Sequence, residues 1–210
     1  MSGKIDKVYT FLADISRLKN EGEYRSVYEQ MPDFRKEKAD RLRRMQDKAR
    51  SVGAWRLYML ASERYPISSE TPFNLSHSGK YVLCSVAPDG ESVGCDVEGL
   101  RVVREQIARR FFCPQEAARL MKLPEEERAE EFIRLWVLKE SFMKATRRGM
   151  SLGLDTFAFD FPEGGAPSLV RQPEDIKGRY YFYEYPAKSA KIAVCSTCPA
   201  FSPYLEQLSI

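Results

Sequence analysis

Asp96, Glu98, Glu140 and Lys144 are the side chains whose types and spacing could carry chemistry. Asp96 and Glu98 stand two apart in SVGCDVE, a run that reads as a strand. Both carboxylates then share one face, with Cα atoms about 6.6 Å apart at a rise of about 3.3 Å per residue. Val93, Cys95 and Val97 take the other face, and Gly94 leaves room beside the acids for something to approach. Ordinary polar-out alternation of a half-buried strand explains the two acids equally well. The second segment, EFIRLWVLKESFMKATRRG, reads as a helix. At 100° per residue, Phe132, Ile133, Leu135, Trp136, Val137, Leu138, Phe142 and Met143 cover most of its circumference, leaving a narrow wet sector at Arg134 and Ser141. Lys139 and Glu140 nevertheless fall among apolar positions, with Lys144 one turn beyond Glu140. Buried charges are costly unless they are paired or bind a metal. An i,i+4 pair between Glu140 and Lys144 is the plain explanation, but such pairs are surface devices. A cation held by Asp96, Glu98 and Glu140 accounts for all three acids at once. Oxygen-only donors suit Mg²⁺, whose remaining shell is water and phosphate. Lys139 and Lys144 would then face phosphate oxygens.

His77, in FNLSHSG, is the only histidine of 210 residues. A lone imidazole is ordinarily a structural residue; beside an anion site it becomes one more phosphate contact. The stretch RKEKADRLRRMQDKAR, residues 35–50, concentrates positive charge in a chain whose net charge is only +3. It reads either as a solvated helix face or as a site for a phosphate-bearing ligand. So small a net charge counts against a general nucleic-acid binder.

The elements that must position these residues follow from periodicity and punctuation. Val8 to Ile15 reads as a strand, and helices are expected over Asp33–Met45 and Asp47–Arg64. YVLCSVA and SVGCDVE, either side of Pro88-Asp89-Gly90, read as a hairpin. Helical patterns then cover Glu105–Phe112, Pro114–Lys122 and Glu125–Arg148, stopped by Gly149 and Gly153. Strand-like runs at Leu154–Phe161, Arg179–Tyr185 and Lys191–Cys195 close the chain. Helices mixed with short, meander-connected strands give an α+β class rather than a doubly wound sheet. Two halves of similar content are expected, residues 1–102 and 103–210. No apolar run reaches membrane-spanning length, the first residues lack a signal-type apolar core, and five scattered cysteines suit a reducing compartment. A cytoplasmic protein is the expectation. Cys195 and Cys198 form a lone CxxC, short of two ligands for zinc, and read as strand-edge thiols.

Ser76-His77-Ser78, Gly94-x-Asp96-x-Glu98 and Trp136-x-x-Lys139-Glu140-x-x-x-Lys144 occur in that order, with RRFFCPQE between the last two. Together they resemble the motifs of 4′-phosphopantetheinyl transferases of the surfactin-synthetase-activating type, over residues from about Pro32 to Cys195. The resemblance implies two similar α+β halves related by a pseudo-two-fold axis, with coenzyme A in the cleft between them. It implies Mg²⁺-dependent transfer of the phosphopantetheine arm to a serine of an apo acyl or peptidyl carrier protein, releasing adenosine 3′,5′-bisphosphate. It makes Asp96, Glu98 and Glu140 the Mg²⁺ ligands, Lys144 the pyrophosphate contact, and His77, with Ser76 beside it, a phosphate contact. Arg35, Lys38, Arg50 and Ser51 would hold the 3′-phosphate. Glu140 is the first candidate for the base and Lys144 for the group that stabilises the leaving oxygen. The carrier is expected at a basic, apolar surface around Arg109, Arg110, Phe111, Phe112 and Met121, with the protein a monomer that binds neither nucleic acid nor membrane. Family members often carry Gly-Lys-Pro before the SHS segment; here RYPISSETP stands instead. A Mg²⁺-dependent phosphodiesterase and a non-catalytic coenzyme A or nucleotide binder are the rival readings.

Overall fold

The structure is a computed structural model that describes residues 4–101, 105–162 and 165–210. The chain opens with β1 (Val8–Asp14), passes through α1 (Glu21–Glu29), α2 (Asp33–Asp40) and α3 (Met45–Arg64), and returns as β2 (Phe73–Ser78) and β3 (Tyr81–Val86). β2 and β3 are joined by the two-residue turn Gly79-Lys80, in which Gly79 takes φ +56°, the positive first position such hairpins need. β3 lies between β1 and β2 and is antiparallel to both. The same plan then repeats. β4 (Val93–Gly99) is followed by α4 (Glu105–Phe111), α5 (Pro114–Met121) and α6 (Glu125–Ala145), then β7 (Tyr181–Tyr185) and β8 (Ala190–Ser196). β8 lies between β4 and β7, antiparallel to both. A two-stranded ribbon of β5 (Ala158–Asp160) and β6 (Ser168–Arg171) is inserted after α6. β9 (Phe201–Gln207) crosses back and adds to β1 in parallel.

The expected α+β class and the likeness of the two halves are thus present as one topology used twice. The expected boundary at 102/103 falls on residues outside the description; the sheets themselves change hands at residues 87–92. This corrects the hairpin expected around Pro88-Asp89-Gly90. β3 pairs with β2 and β1, and β4 pairs with β8, so the turn connects two sheets instead of two neighbouring strands.

Side-chain alternation explains the layering. Phe11, Ala13, Val82, Cys84 and Val86 face α3 in one core, whereas Val8, Leu12 and Leu83 face the second sheet, meeting Val93, Val97, Ile192 and Val194 in another. The third core lies under α6, where Ile133, Leu135, Val137, Leu138 and Phe142 cover the outer face of the second sheet. Among the described residues no helix is long and apolar enough to cross a membrane. All five cysteines are free and buried.

Candidate active site

β4 is buried along most of its length because the between-sheets core covers one face and α6 the other. The space expected beside Gly94 is filled by α6 itself: a Cβ at Gly94 would collide with the carbonyl oxygen of Ser141 and the amide nitrogen of Ala145. Ser141 is accordingly fully buried, not in a wet sector of the helix. That close approach carries Glu140 and Lys144 to the acidic residues of β4.

Asp96 is buried and makes its contacts through one oxygen. Its Oδ1 accepts from Ser76 Oγ at 2.7 Å and from Lys144 Nζ at 2.6 Å. Its Oδ2 is buried and has no partner. Burial pushes the Asp96 carboxyl above the ordinary carboxylate range, against the pull of Lys144 and Ser76. Lys144 also reaches Ser76 Oγ at 3.1 Å and the Cys95 carbonyl at 3.2 Å. Burial favours the neutral amine, but Asp96 above all, with Cys95 and then Glu140 adding to it, outweighs burial, so the pKa is raised and the ammonium stays charged. Glu140 is half-buried, and its carboxylate makes no hydrogen bond among the described residues. Burial first, then the charge of Asp96, raises its pKa, with Glu98 adding to the rise. Glu98 Oε2 accepts from Ser78 Oγ at 2.8 Å and from Arg101 Nη1 at 2.5 Å. The Cys95 thiol is pushed up to about 12 by burial, which takes it out of nucleophilic chemistry.

The basic group lies across β2. Arg35 is buried and donates to the Ser51 carbonyl at 2.9 Å, while its guanidinium stacks 4.8 Å from the Trp55 ring centroid. Arg50 pairs with Asp47. The Nε atoms of both arginines are buried and unpartnered. His77 is exposed at the rim, yet protein crowds its ring enough that desolvation lowers its pKa, and the charges of Arg50, Lys144 and Lys38 push the same way. Lys38 is exposed. β2 thus separates an anion-attracting group on one side from a carboxylate group on the other, with Lys144 felt by both.

A family model described as the 4′-phosphopantetheinyl transferase superfamily matches residues 92–195, the segment that supplies Asp96, Glu98, Glu140 and Lys144. Just under half of the chain is thus similar to the 4′-phosphopantetheinyl transferase superfamily. The 4′-phosphopantetheinyl transferase Sfp of Bacillus subtilis is 32% identical over 145 residues, covering 69% of this chain and 63% of that protein. The transferase psf-1 of Bacillus pumilus is 36% identical over 148 residues, covering 69% and 62%. The chain therefore spans a little over three fifths of the length of these curated relatives. Among solved structures, a holo-[acyl-carrier-protein] synthase of Thermotoga maritima aligns over 50% of this chain and 61% of that one, at 22% identity and a TM-score of 0.43.

Against the family expectation, the fold brings together Asp96, Glu98, Glu140, Lys144 and Ser76, and groups Lys38 and Arg50 near His77 and Arg35 with Ser51. It does not bring Lys139. That side chain is fully buried on the far side of α6, where Nζ donates to the carbonyls of Leu154 at 2.8 Å and Phe157 at 2.7 Å and pairs with Glu116 at 2.8 Å. Lys139 is corrected from a phosphate contact to an internal anchor, because its partners satisfy it completely and no solvent reaches it. Phe112 is likewise core, so the apolar surface nearby rests on Ile107 and half-buried Phe111. Motif reading passed over Asn74, Ser78 and Arg101, all in contact with β4 or its acids. The signal was available: Ser76-x-Ser78 and Asp96-x-Glu98 share the period of a strand.

Among the described residues no group of three or more His, Cys, Asp or Glu is gathered closely enough to hold a metal as it stands. Lys144 on Asp96 and Arg101 on Glu98 occupy the carboxylates instead. The donor chemistry still suits a hard cation. The charges of Asp96 and Glu98 raise the proton affinity of Glu140, Glu98 adds to that of Asp96, and the buried Asp96 Oδ2 lacks any partner, a state that buried oxygens rarely keep.

Proposed function

We propose that this protein transfers the 4′-phosphopantetheine arm of coenzyme A to a serine of an apo acyl or peptidyl carrier protein, with Mg²⁺ held by Asp96, Glu98 and Glu140. The observation that carries the reading is the unpartnered, buried Asp96 Oδ2 beside a charged Lys144, one strand away from a cationic group built around His77. A pyrophosphate with a further phosphate on its nucleoside needs these two neighbouring places, one for each charge.

In the reaction the carrier serine oxygen forms a bond to the phosphorus that bears pantetheine. The bond from that phosphorus to the bridging oxygen breaks, and the electron pair leaves with adenosine 3′,5′-bisphosphate. Mg²⁺, when bound, neutralises charge that develops on the pyrophosphate oxygens. Lys144 supplies an ammonium for the departing oxygen, held in place by Asp96 and kept charged by it. Glu140, whose pKa is raised and whose carboxylate oxygens are free of hydrogen bonds among the described residues, is the candidate acceptor of the serine proton. Arg35, Ser51, Arg50, Lys38 and His77 bind the 3′-phosphate. Ser76 holds Asp96 and Lys144 together. The carrier docks where exposed Ile107, Arg109 and Arg110 stand with half-buried Phe111 and Met121 on α4 and α5. Because one chain carries both copies of the topology, the monomer is the working unit.

Incubating the protein with coenzyme A, Mg²⁺ and apo carriers is expected to raise a carrier's mass by one phosphopantetheine arm. No mass change across a panel of acyl and peptidyl carriers sinks the reading. Asp96→Ala is expected to abolish the transfer while circular dichroism stays unchanged.

A further inference from the structure

β2 and β4 are edge strands of different sheets, and no backbone ladder joins them among the described residues. They run side by side all the same, stitched by side chains of β2. The Asn74 carboxamide oxygen accepts from the Cys95 amide at 3.0 Å, Ser76 Oγ donates to Asp96 Oδ1 at 2.7 Å, and Ser78 Oγ donates to Glu98 Oε2 at 2.8 Å. The two hydroxyls stand two residues apart, opposite two carboxylates two residues apart. The period of one strand therefore matches the period of the other.

A hydroxyl can point its proton several ways, but that of Ser78 is set. The Gly99 amide approaches its oxygen at 3.5 Å from the opposite strand, which turns the proton toward Glu98. Both serines engage one oxygen of each acid and leave the second oxygen unused by them. For Asp96 that second oxygen is the buried, unpartnered one. A neutral hydroxyl orients a carboxylate without cancelling its charge. Arg101, on the same Glu98 oxygen, does the opposite: it is a cation, and it competes with any other cation for that acid.

We infer that Ser78 is a positioning residue that aims Glu98 at the divalent ion, and that Arg101 opposes that ion for the same carboxylate. The inference rests on the proposed Mg²⁺ site and extends it from the ligands to what holds them. Residues that orient metal ligands typically change metal affinity by about 10–100-fold when removed.

The test is Mn²⁺ titration, followed by electron paramagnetic resonance, into the protein loaded with coenzyme A and without any carrier, so that no turnover intervenes. Ser78→Ala is expected to weaken Mn²⁺ binding about tenfold. Ser78→Thr, which keeps the hydroxyl, is expected to restore it. Arg101→Gln, an exposed side chain, is expected to tighten binding. In turnover, Ser78→Ala should recover its kcat at high Mg²⁺ with the KM for coenzyme A unmoved, a split that a loosened fold would not give. Unchanged Mn²⁺ affinity in Ser78→Ala, or failure of Thr to rescue, overturns the role of Ser78 and leaves the metal site standing. Weaker binding in Arg101→Gln overturns the competition. A wild-type protein that takes up no Mn²⁺ at all overturns the metal site itself, and this inference with it.

Discussion

Lys139, Glu140 and Lys144 share six residues of one helix and meet three different fates, decided by where 100° steps point them. Lys139 is locked between Glu116, two backbone carbonyls and the Phe157 ring; Glu140 faces the carboxylates of β4; Lys144 bridges Asp96 and Ser76. Removing one partner of a fully buried pair strands the other, so Lys139→Ala is expected to cost about 3–5 kcal/mol in urea unfolding. Lys144→Ala leaves the buried Asp96 with Ser76 still on it, from a pair that is partly exposed, so it should cost less stability than Lys139→Ala and abolish transfer. Equal losses of stability in both would mean that Lys144 is structural as well. The single imidazole gives a second measurement at this scale. His77 should titrate by proton NMR below its ordinary 6.5, since desolvation and then Arg50, Lys144 and Lys38 favour the neutral ring. The sign follows: a lowered folded value means stability that is full above 6.5 and falls as pH drops through the folded midpoint. Adenosine 3′,5′-bisphosphate, placing negative charge beside the ring, should move the midpoint up. A ligand-free midpoint at or above 6.5 would remove His77 from the cationic group. At the residue scale the motifs were legible because each acid or base sits at a fixed spacing. Lys139 was not, because its partners Glu116, Leu154 and Phe157 lie 15 to 23 positions away, and a helical wheel shows direction without showing what waits there.

Elements meet at Gly94. α6 lies on β4 closely enough that the missing side chain is the contact, and Ser141 and Ala145 pass where a methyl group would be. Gly94→Ala must therefore lift the helix, and with it Glu140 and Lys144, away from Asp96. Overpacking of this kind costs about 1–3 kcal/mol or more, and here it also separates the reacting groups. The expected outcome is a folded protein with a lowered midpoint in thermal unfolding and a loss of transfer larger than its stability loss predicts. Gly79→Ala is the control. Nothing lies within 4 Å of a Cβ there, so the only strain is that of φ +56°, and transfer should survive. Wild-type transfer by Gly94→Ala would show that the helix does not set the site. The sequence pattern supplied α3, α6, β1, β4, β7 and β8 nearly as they are, because each has an apolar stripe or alternation of adequate length. It missed β2, whose Asn74, Ser76 and Ser78 are polar because they stitch a seam, not because they face water. Local turn chemistry at Pro88-Asp89-Gly90 favours a hairpin but says nothing about which sheet the next strand joins.

The whole molecule is closed by a strand from its other end. β9 runs parallel to β1, the Val8 amide donates to the Ala200 carbonyl at 2.9 Å, Tyr65 reaches Glu206, and Leu208 and Ile210 enter the core beneath α3. That core belongs to the half that carries Arg35, Arg50, Ser76 and His77, whereas β9 follows the strands of the other half. Beyond the core between the two sheets, the halves are thus tied by the β2–β4 seam and by this returning strand, although no candidate catalytic or ligand-binding side chain lies beyond Lys144. A chain ending at Pro199 tests how much the tie matters. It exposes the outer edge of β1 and uncovers apolar side chains of the first core, while β4, α6, β7 and β8 keep every mutual contact. Hydrogen exchange should therefore accelerate in β1 to β3 and α3 well before it does in β8 or α6. Affinity for adenosine 3′,5′-bisphosphate should fall further than affinity for Mn²⁺, since the basic group rests on the weakened half and the carboxylates on the intact one. Uniform acceleration through both sheets would instead mean that the halves unfold as one cooperative unit, with the seam at β2 and β4 strong enough to bind them without β9.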